Sequence, residues 1–280
     1  MRNLKDTFPT WVDDNITRDM ILTDDIDSLM SCIVLNLLKG YEIRYFYDCS
    51  YTNTTQCIYT DVNINTNTNV NEIVGVDFAL EGFKTWDNHV TRITSNDPCN
   101  TLSANLNNYI TRNSYYSKYL VSTFFTVCWY YNIDFMKWTR EQLLILCAID
   151  GMYHPFKEEN KRFKTTAKRH FKELVVEFLG DFIQCNLNDI IQIEKDLNLK
   201  DGKIKVNDEG YLITDIDLLW LSKIFNMPIE LPKSQFKTSG VYNKYYYDLD
   251  NKTSKTALQG DKRLLNFALT YKNKCIMSFN

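Results

Sequence analysis

The chain has 280 residues, 44% of them hydrophobic and 24% charged, which is ordinary for a globular protein of one or two domains. Its net charge of −3 argues against a protein that coats long nucleic acid, but a local basic patch could still bind a short oligonucleotide or a nucleotide. The eight cysteines include no CxxC spacing, and neither a signal peptide nor a membrane span is recognisable. The sequence therefore predicts a cytoplasmic protein without a membrane partner.

Strand-like and helix-like segments alternate at the start of the chain. Residues 20–23 are a short apolar run, residues 29–38 repeat at helical spacing up to Gly40, and residues 41–47 have the composition of a strand. This order predicts two parallel strands joined by a crossover helix. Residues 50–71 are rich in Asn and Thr and predict an irregular connection or an excursion at the sheet edge.

Two more strands and two helices are predicted in the middle of the chain. Residues 72–79 and 84–90 have strand character, and residues 95–117 predict a loop over the strand ends. The first apolar helix begins at Ser122 or Thr123, both of which are good N-cap residues. The second helix leads to the sequence LCAIDG.

The character of the sequence changes near residue 157. Residues 157–172 are basic and begin an amphipathic helix that is expected to continue to about residue 182, and residues 186–226 predict two helices separated by a polar hairpin. A Tyr-rich run at 242–247 precedes a predicted helix over 262–269 and a final strand. The basic residues and tyrosine rings are candidate nucleotide contacts, with a solvated helix face and a Tyr-rich strand or turn as the alternatives.

The element order predicts an α/β fold. We expect a mostly parallel sheet flanked by helices in an N-terminal domain, residues 1–156, and a smaller helical or α+β domain, residues 157–280. In open α/β sheets, ligands bind at the carboxyl ends of the strands. Residues that directly follow the strands are therefore the first candidates for a site.

Acidic residues follow several of the predicted strands. Together with one histidine they form a candidate ligand set: Asp25, Asp27, Asp77, Asp87, His89 and Asp150. Carboxylates with one imidazole suit Mn²⁺, or Mg²⁺ with bound waters. Alternatively, the acids near residue 25 cap a helix and Asp87 forms a turn. The other histidines, His154 and His170, are expected at the surface or a boundary.

Five short motifs, taken in order, resemble the DHH phosphoesterase family. They are DID (25–27) after an apolar run, VGVD (74–77), WDNH (86–89), KYLVST (118–123) and LCAIDG (146–151). The resemblance covers about residues 20–151. It implies a metal-binding N-terminal domain with two Mn²⁺ or Mg²⁺ ions and a C-terminal domain that closes over the cleft and binds the substrate.

The resemblance also implies individual roles. The metal ligands would be Asp25, Asp27, Asp77, His89 and Asp150. Asp77 would bridge two ions and Asp87 would ligate one or orient His89, which makes these three residues the expected catalytic set. Substrate contacts are expected from Asn88, Arg92, Lys118, Ser122 and Thr123, the last two through free N–H groups at a helix start.

Departures from the family pattern, among them a stretch between Asp77 and Asp87 that is shorter than usual, keep alternatives open. Thr23 and Asn88 stand where histidines are expected, and the GGGH motif of the family's common C-terminal domain is absent. The leading hypothesis is a Mn²⁺- or Mg²⁺-dependent phosphodiesterase or nuclease that hydrolyses short oligonucleotides or small nucleotides. The first alternative is a relative that binds a nucleotide or a protein without turnover. The second is an interaction module whose aspartates are unrelated caps and turns. The oligomeric state stays open, with a homodimer as one option.

Overall fold

The computed structural model describes residues 4–49, 54–64, 72–157 and 161–279, with the backbone alone at 161 and 162. In these ranges the chain forms one large mixed β-sheet flanked by helices, and a separate two-stranded hairpin. None of the described helices has the length and apolar character needed to cross a membrane.

The described ranges contain eleven strands and seven α-helices. The strands are β1 (Asp19–Leu22), β2 (Glu42–Tyr47), β3 (Thr55–Asp61), β4 (Ile73–Val76), β5 (Lys84–Trp86), β6 (Ser103–Ala104), β7 (Ile204–Val206), β8 (Leu212–Thr214), β9 (Phe236–Asp248), β10 (Leu264–Tyr271) and β11 (Lys274–Phe279). The helices are α1 (Ile26–Lys39), α2 (Thr123–Tyr130), α3 (Arg140–Ala148), α4 (Lys161–Glu173), α5 (Phe178–Asp196), α6 (Leu218–Phe225) and α7 (Lys255–Gln259).

One half of the large sheet is parallel. Strands β2, β1, β4, β5 and β6 lie side by side in this order, and each neighbouring pair is parallel. Helix α1 connects β1 to β2, which confirms the predicted strand–helix–strand unit. The carboxyl ends of these strands therefore meet at one edge of the sheet, where the predicted acidic residues follow them.

The other half of the sheet is antiparallel. Beyond β2 the order continues through β3, β9, β11 and β10, and every one of these pairs is antiparallel. The expectation of a mostly parallel sheet therefore holds for one half only. The prediction for residues 50–71 was wrong where the structure describes them, because β3 lies in the sheet interior between β2 and β9.

The sheet curls so that β10 meets the loops that follow β4 and β5. The Phe267 amide donates to the Ala79 carbonyl at 3.1 Å, and the Leu269 amide donates to the Val90 carbonyl at 2.9 Å. The C-terminal strands are thus hydrogen-bonded beside the carboxyl ends of the parallel strands. Strands from both sides of residue 157 share this sheet, and a division into two domains there stays a prediction.

The start of α1 is tied to two strands. Asp25 caps the helix by accepting the Ser28 amide at 3.1 Å, and Gly40 ends it with a φ of 68°. The buried Ser28 hydroxyl donates to the Val76 carbonyl at 2.7 Å and accepts the Thr23 amide at 2.9 Å. These bonds fix the acidic loop after β1 against the end of β4.

The second half contains one confirmed hairpin and two corrections. The polar segment after α5 forms the β7–β8 hairpin as predicted. The helix expected to reach residue 182 is broken between α4 and α5, where Val175 has a φ of 59°. Residues 262–269 were predicted to be helical, but most of them belong to β10 because pairing with β11 decides the structure of this short apolar run.

Candidate metal centre

The acids that follow β4 and β5 lie together at the carboxyl edge of the parallel strands. Asp77 directly follows β4, and Asp87 directly follows β5. One donor atom each of Asp77, Asp87 and His89 lie within 4.8 Å of one another. The ligands of one Mg²⁺ ion, bound at about 2.1 Å each, lie about 3.0 Å apart when adjacent and about 4.2 Å apart when opposite, so these three atoms must move closer together to bind one ion.

Asn88 connects the acids of two further loops to this group. Its Nδ2 donates to Asp150 Oδ2 at 2.7 Å and to Asp27 Oδ2 at 3.4 Å, and it also donates to the Val121 carbonyl at 3.3 Å. A neutral amide donor therefore lies between two carboxylates. To offer its oxygen to a cation there, the Asn88 amide must rotate by about 180°.

Asp87 holds the His89 ring in place. Asp87 Oδ1 lies 2.7 Å from His89 Nδ1, and the Asn105 amide group donates to Asp87 Oδ2 at 3.0 Å and to the His89 carbonyl at 2.8 Å. Asp87 is 1% exposed, whereas the His89 side chain is 39% exposed. With Nδ1 turned to the carboxylate, Nε2 is the nitrogen that can ligate a cation or exchange a proton.

The charges around His89 favour its protonated form. Burial lowers the pKa of His89, but Asp87, and behind it Asp77 and Asp150, raise this pKa to about 10. In the absence of a cation the ring is therefore an imidazolium at neutral pH. A bound cation must displace this proton, so metal binding competes with protonation of His89.

The start of α2 holds Asp27. The Thr123 amide donates to Asp27 Oδ2 at 2.8 Å and the Phe124 amide donates to Oδ1 at 2.7 Å, while Ser122 caps the helix. The N–H groups expected to be free for a phosphate are thus used by Asp27. The Thr123 hydroxyl donates to Asp77 Oδ1 at 2.8 Å, so Thr123 positions two carboxylates. Substrate contact by Ser122 and Thr123 stays a prediction.

Two of the acids have an unusual backbone conformation. Asp77 has a φ of 53° and Asp150 a φ of 51°, both in the left-handed region that costs energy for residues other than glycine. Such conformations concentrate at functional sites. At Asp77 the turn is held on both sides, because its amide donates to the Trp86 carbonyl at 2.9 Å and its carboxylate accepts the Thr123 hydroxyl.

Burial and mutual repulsion disfavour the negative charges of the acids in the centre. Burial raises the pKa of Asp27 well above its usual range, and the charges of Asp77 and Asp150 raise it further. Burial also raises the pKa of Asp77, an effect that Asp25 increases and His89 opposes. Since the ionised carboxylates repel each other, a divalent cation would stabilise all of them, and a set of oxygens with one imidazole suits Mn²⁺ or Mg²⁺.

The centre lies beside a cleft of about 680 Å³. Asn88 and Asp150 line it at the side of the acids, and the turn between β10 and β11 contributes residues 270–274. The lining contains many aromatic and basic side chains: Tyr115, Tyr116, Tyr119 and Phe163, with Tyr271 from the turn, and Lys118, with Lys272 and Lys274 from the turn. A larger cavity of about 820 Å³ lies elsewhere, and none of the six predicted ligands lines it.

Some predicted contacts are not brought to the centre. Arg92 donates from Nε to the Asp97 carbonyl at 2.9 Å and from a second nitrogen to the Ser95 carbonyl, so it braces its own loop. On α4, Lys168 pairs with Asp181 at 3.5 Å. Within the described ranges, neither Arg92 nor the Tyr-rich part of β9 lines the cleft.

Lys203 was missed by the sequence analysis. It precedes β7, and its Nζ lies 3.4 Å from Asp24 Oδ1 and 4.0 Å from Asp25 Oδ2. Burial and the charge of Asp25 raise the pKa of Asp24 to about 6, with Lys203 opposing this rise. No local signal marks Lys203, because the contact joins residues 179 positions apart.

His170 was expected at the surface or a boundary, and it is buried instead. Its ring stacks on Tyr119 of the cleft wall with 4.0 Å between ring centres. Arg169 donates to Nε2 at 3.2 Å, and since a guanidinium has no acceptor, the proton of the neutral ring lies on Nδ1. Burial lowers the pKa of His170 to about 4, with Glu173 opposing and Arg169 adding to the effect.

Acidification is therefore expected to weaken the fold through His170. The unfolded chain binds the proton near pH 6.5 and the folded chain only near pH 4, so stability falls as the pH drops between these values, by up to about 3 kcal/mol. The His170→Phe variant keeps a ring on Tyr119 but cannot be protonated. Thermal midpoints between pH 7 and pH 4 should fall less steeply for this variant, and equal slopes would contradict the assignment.

Comparisons with known proteins assign this chain to no family. No protein-family model, no curated protein and no solved structure matches this chain. The resemblance to DHH phosphoesterases consequently stays a prediction from short motifs. The distances and charges of the centre do not depend on that resemblance.

Proposed function

We propose that this protein is a Mn²⁺- or Mg²⁺-dependent phosphoesterase that hydrolyses phosphodiester bonds of short oligonucleotides or small nucleotides. The observation that carries the proposal is the group of Asp77, Asp87 and His89, with donor atoms within 4.8 Å of one another. Asn88 links this group to Asp27 and Asp150 beside a cleft with basic and aromatic walls. The motif order supports the same function.

The candidate ligands could hold two ions. Asp87 or its partner His89, together with Asp77, would hold one ion, and the acids of the other loops would hold a second: Asp25, Asp27 and Asp150. When bound, the cations lower the pKa of water and offset negative charge on the phosphate oxygens. The reaction forms one P–O bond to water and breaks the P–O bond to the leaving oxygen, which takes up a proton in place of the one that water loses.

The residues of the chain keep this geometry rigid. Two backbone amides hold Asp27 and the Thr123 hydroxyl holds Asp77, so these carboxylates need little reorganisation during the reaction. Asp87 fixes the orientation of the His89 ring. Lys118 lines the cleft together with Asp150, where its charge can attract the phosphate of a substrate.

A second candidate is a nucleotide-binding protein without turnover. Asn88 favours it, because its NH₂ group donates to both Asp27 and Asp150 and so occupies the region between two acids of the second ion. A neutral amide in this position satisfies the carboxylates without a cation. Ligand binding without product formation would support this candidate.

The test is a titration of EDTA-treated protein with Mn²⁺ and, in parallel, with Mg²⁺. At 100 times the Kd, binding stabilises the fold by about 2.7 kcal/mol, which raises the thermal midpoint by about 5–10 °C for a chain of this size. We expect this shift together with metal-dependent hydrolysis of bis(p-nitrophenyl) phosphate. A shift without hydrolysis would favour the binding protein, and the absence of a shift would contradict the metal centre.

A further inference from the structure

The turn between β10 and β11 contributes one wall of the cleft. Residues 270–274 line the same space as Asn88 and Asp150. The amides of Phe267 and Leu269 in β10 donate to the carbonyls of Ala79 and Val90, in the loops that follow the parallel strands. This hydrogen bonding fixes the turn relative to the acids, although β10 and the loops it bonds to are about 180 residues apart in the sequence.

Two lysines of the cleft rest on aromatic rings. Lys272 Nζ lies 5.1 Å from the ring centre of Tyr116, and Lys118 Nζ lies 5.0 Å from the ring centre of Tyr115. A ring face positions an ammonium group without neutralising its charge. Both lysines can therefore still interact with an anion that enters the cleft.

The cleft has more room and more ring surface than a single phosphate requires. Its volume of about 680 Å³ lies within the range of pockets that enclose a whole organic ligand, about 300–1,000 Å³. Tyr271 is 68% exposed at the turn, and Tyr119 and Phe163 line the same space. Exposed rings beside cations suit a ligand that combines bases with phosphates.

We propose that Lys272 and Tyr271 are specificity-determining residues of the cleft: Lys272 binds a phosphate other than the reacting one, and Tyr271 stacks on a base. The inference rests on the proposed phosphoesterase function for the reacting phosphate. The binding itself does not require turnover. It makes the cleft selective for nucleotide substrates that carry a second phosphate over simple phosphodiesters.

The first measurement is binding in EDTA, where no hydrolysis occurs. The probe is a thymidine dinucleotide with a 5′-phosphate and a 3′ fluorescent label, followed by fluorescence anisotropy. Lys272→Met should weaken the Kd about tenfold, the loss of one charge-assisted hydrogen bond, and Tyr271→Ala should weaken it by a similar factor. The control is Lys262→Met, because Lys262 rests on the Tyr245 ring outside the cleft, 4.7 Å from its centre.

The same dinucleotide without its 5′-phosphate gives the second ligand of a double-mutant-type cycle, in which the lysine and the phosphate are removed separately and together. It should bind the unaltered protein about tenfold more weakly, and Lys272→Met should bind both forms alike. In Mn²⁺, Lys272→Met should raise the KM for the phosphorylated dinucleotide much more than the KM for the dinucleotide without its 5′-phosphate. If neither the unaltered protein nor Lys272→Met hydrolyses any of these substrates in Mn²⁺, the proposed function is overturned, but this inference about binding is not. No binding by the unaltered protein, or an equal Kd for Lys272→Met, would overturn this inference.

Discussion

Replacing Asp77 with Asn is expected to lower Mn²⁺-dependent hydrolysis of bis(p-nitrophenyl) phosphate by about 1,000-fold, a loss on the order of 4 kcal/mol of transition-state stabilisation. Asn tolerates the φ of 53° at this position. Its side-chain oxygen can still accept the Thr123 hydroxyl, which now bonds to Asp77 Oδ1 at 2.8 Å. The substitution therefore removes the negative charge and leaves the local structure intact.

The same substitution is expected to stabilise the metal-free protein. Burial raises the pKa of Asp77, and the charge of Asp25 raises it further, so the folded chain binds the Asp77 proton more tightly than the unfolded chain does. Ionisation of Asp77 thus opposes folding, and this contribution grows as the pH rises through the raised pKa. Because Asp77 is partly exposed, solvent screening limits the gain to roughly 1 kcal/mol, or about 2–4 °C.

Thermal unfolding in EDTA and in saturating Mn²⁺ separates these two effects. The thermal midpoint of Asp77→Asn should be higher than that of the unaltered protein in EDTA and lower than that of the unaltered protein in Mn²⁺. Asp181→Asn is the matched control, since Asp181 pairs with Lys168 on the surface, and it should change neither the order of the midpoints nor the rate. A variant that is less stable in EDTA and still active would show that Asp77 has a structural role.

Strands β1, β2, β4 and β5 and helix α1 could be predicted because their signals are local, whereas the short strand β6 lies in residues 95–117, which were predicted to be a loop. An apolar run ends at Asp25, which caps α1, and Gly40 ends the same helix in a left-handed conformation. Both residue types act within one helical turn of their own position, so a short window of sequence contains the whole signal. Ligand sites form at the carboxyl ends of parallel strands, and this rule predicts that Asp77 and Asp87 lie close together. In the structure one carboxylate oxygen of each lies within 4.8 Å of the other.

The antiparallel half could not be predicted because distant pairing decides it. Nothing in the polar segment Thr55–Asp61 indicates an interior strand until Phe236–Asp248 pairs with it. The apolar run Leu264–Tyr271 fits a short helix as well as a strand, and its pairing with β11 settles the choice. In both cases the partner that determines the structure lies outside the segment.

The contacts within the candidate metal centre could not be predicted either, because they too join distant segments of the chain. Residue types and their order predicted which side chains are candidate ligands. The bonds that hold them depend on how α1 packs against α2, as the amides of Thr123 and Phe124 on Asp27 illustrate. Lys203 reaches Asp24 from a hairpin far along the chain, and no pattern around either residue contains that contact.

Replacing Asn88 with Asp is expected to destabilise the metal-free protein by about 2 kcal/mol. Asn88 Nδ2 now donates to Asp150 Oδ2 at 2.7 Å and to Asp27 Oδ2 at 3.4 Å. The substitution removes this donor and places a third negative charge beside two carboxylates. Each of these two changes raises the free energy of the folded state. Asp27 is buried, so solvent screens little of the repulsion on that side.

Mn²⁺ should reverse this loss, since the added carboxylate becomes a further ligand where Asn88 offered an NH₂ group. We expect the Mn²⁺ affinity to rise about tenfold, measured by calorimetry, and the thermal midpoint in Mn²⁺ to reach or exceed that of the unaltered protein. Asn88→Leu is the control, because it loses the donor without adding charge and should be less stable with and without metal. If Asn88→Asp loses the same stability in Mn²⁺ as in EDTA, no cation lies between Asp27 and Asp150, and the second ion of the proposed centre has no site.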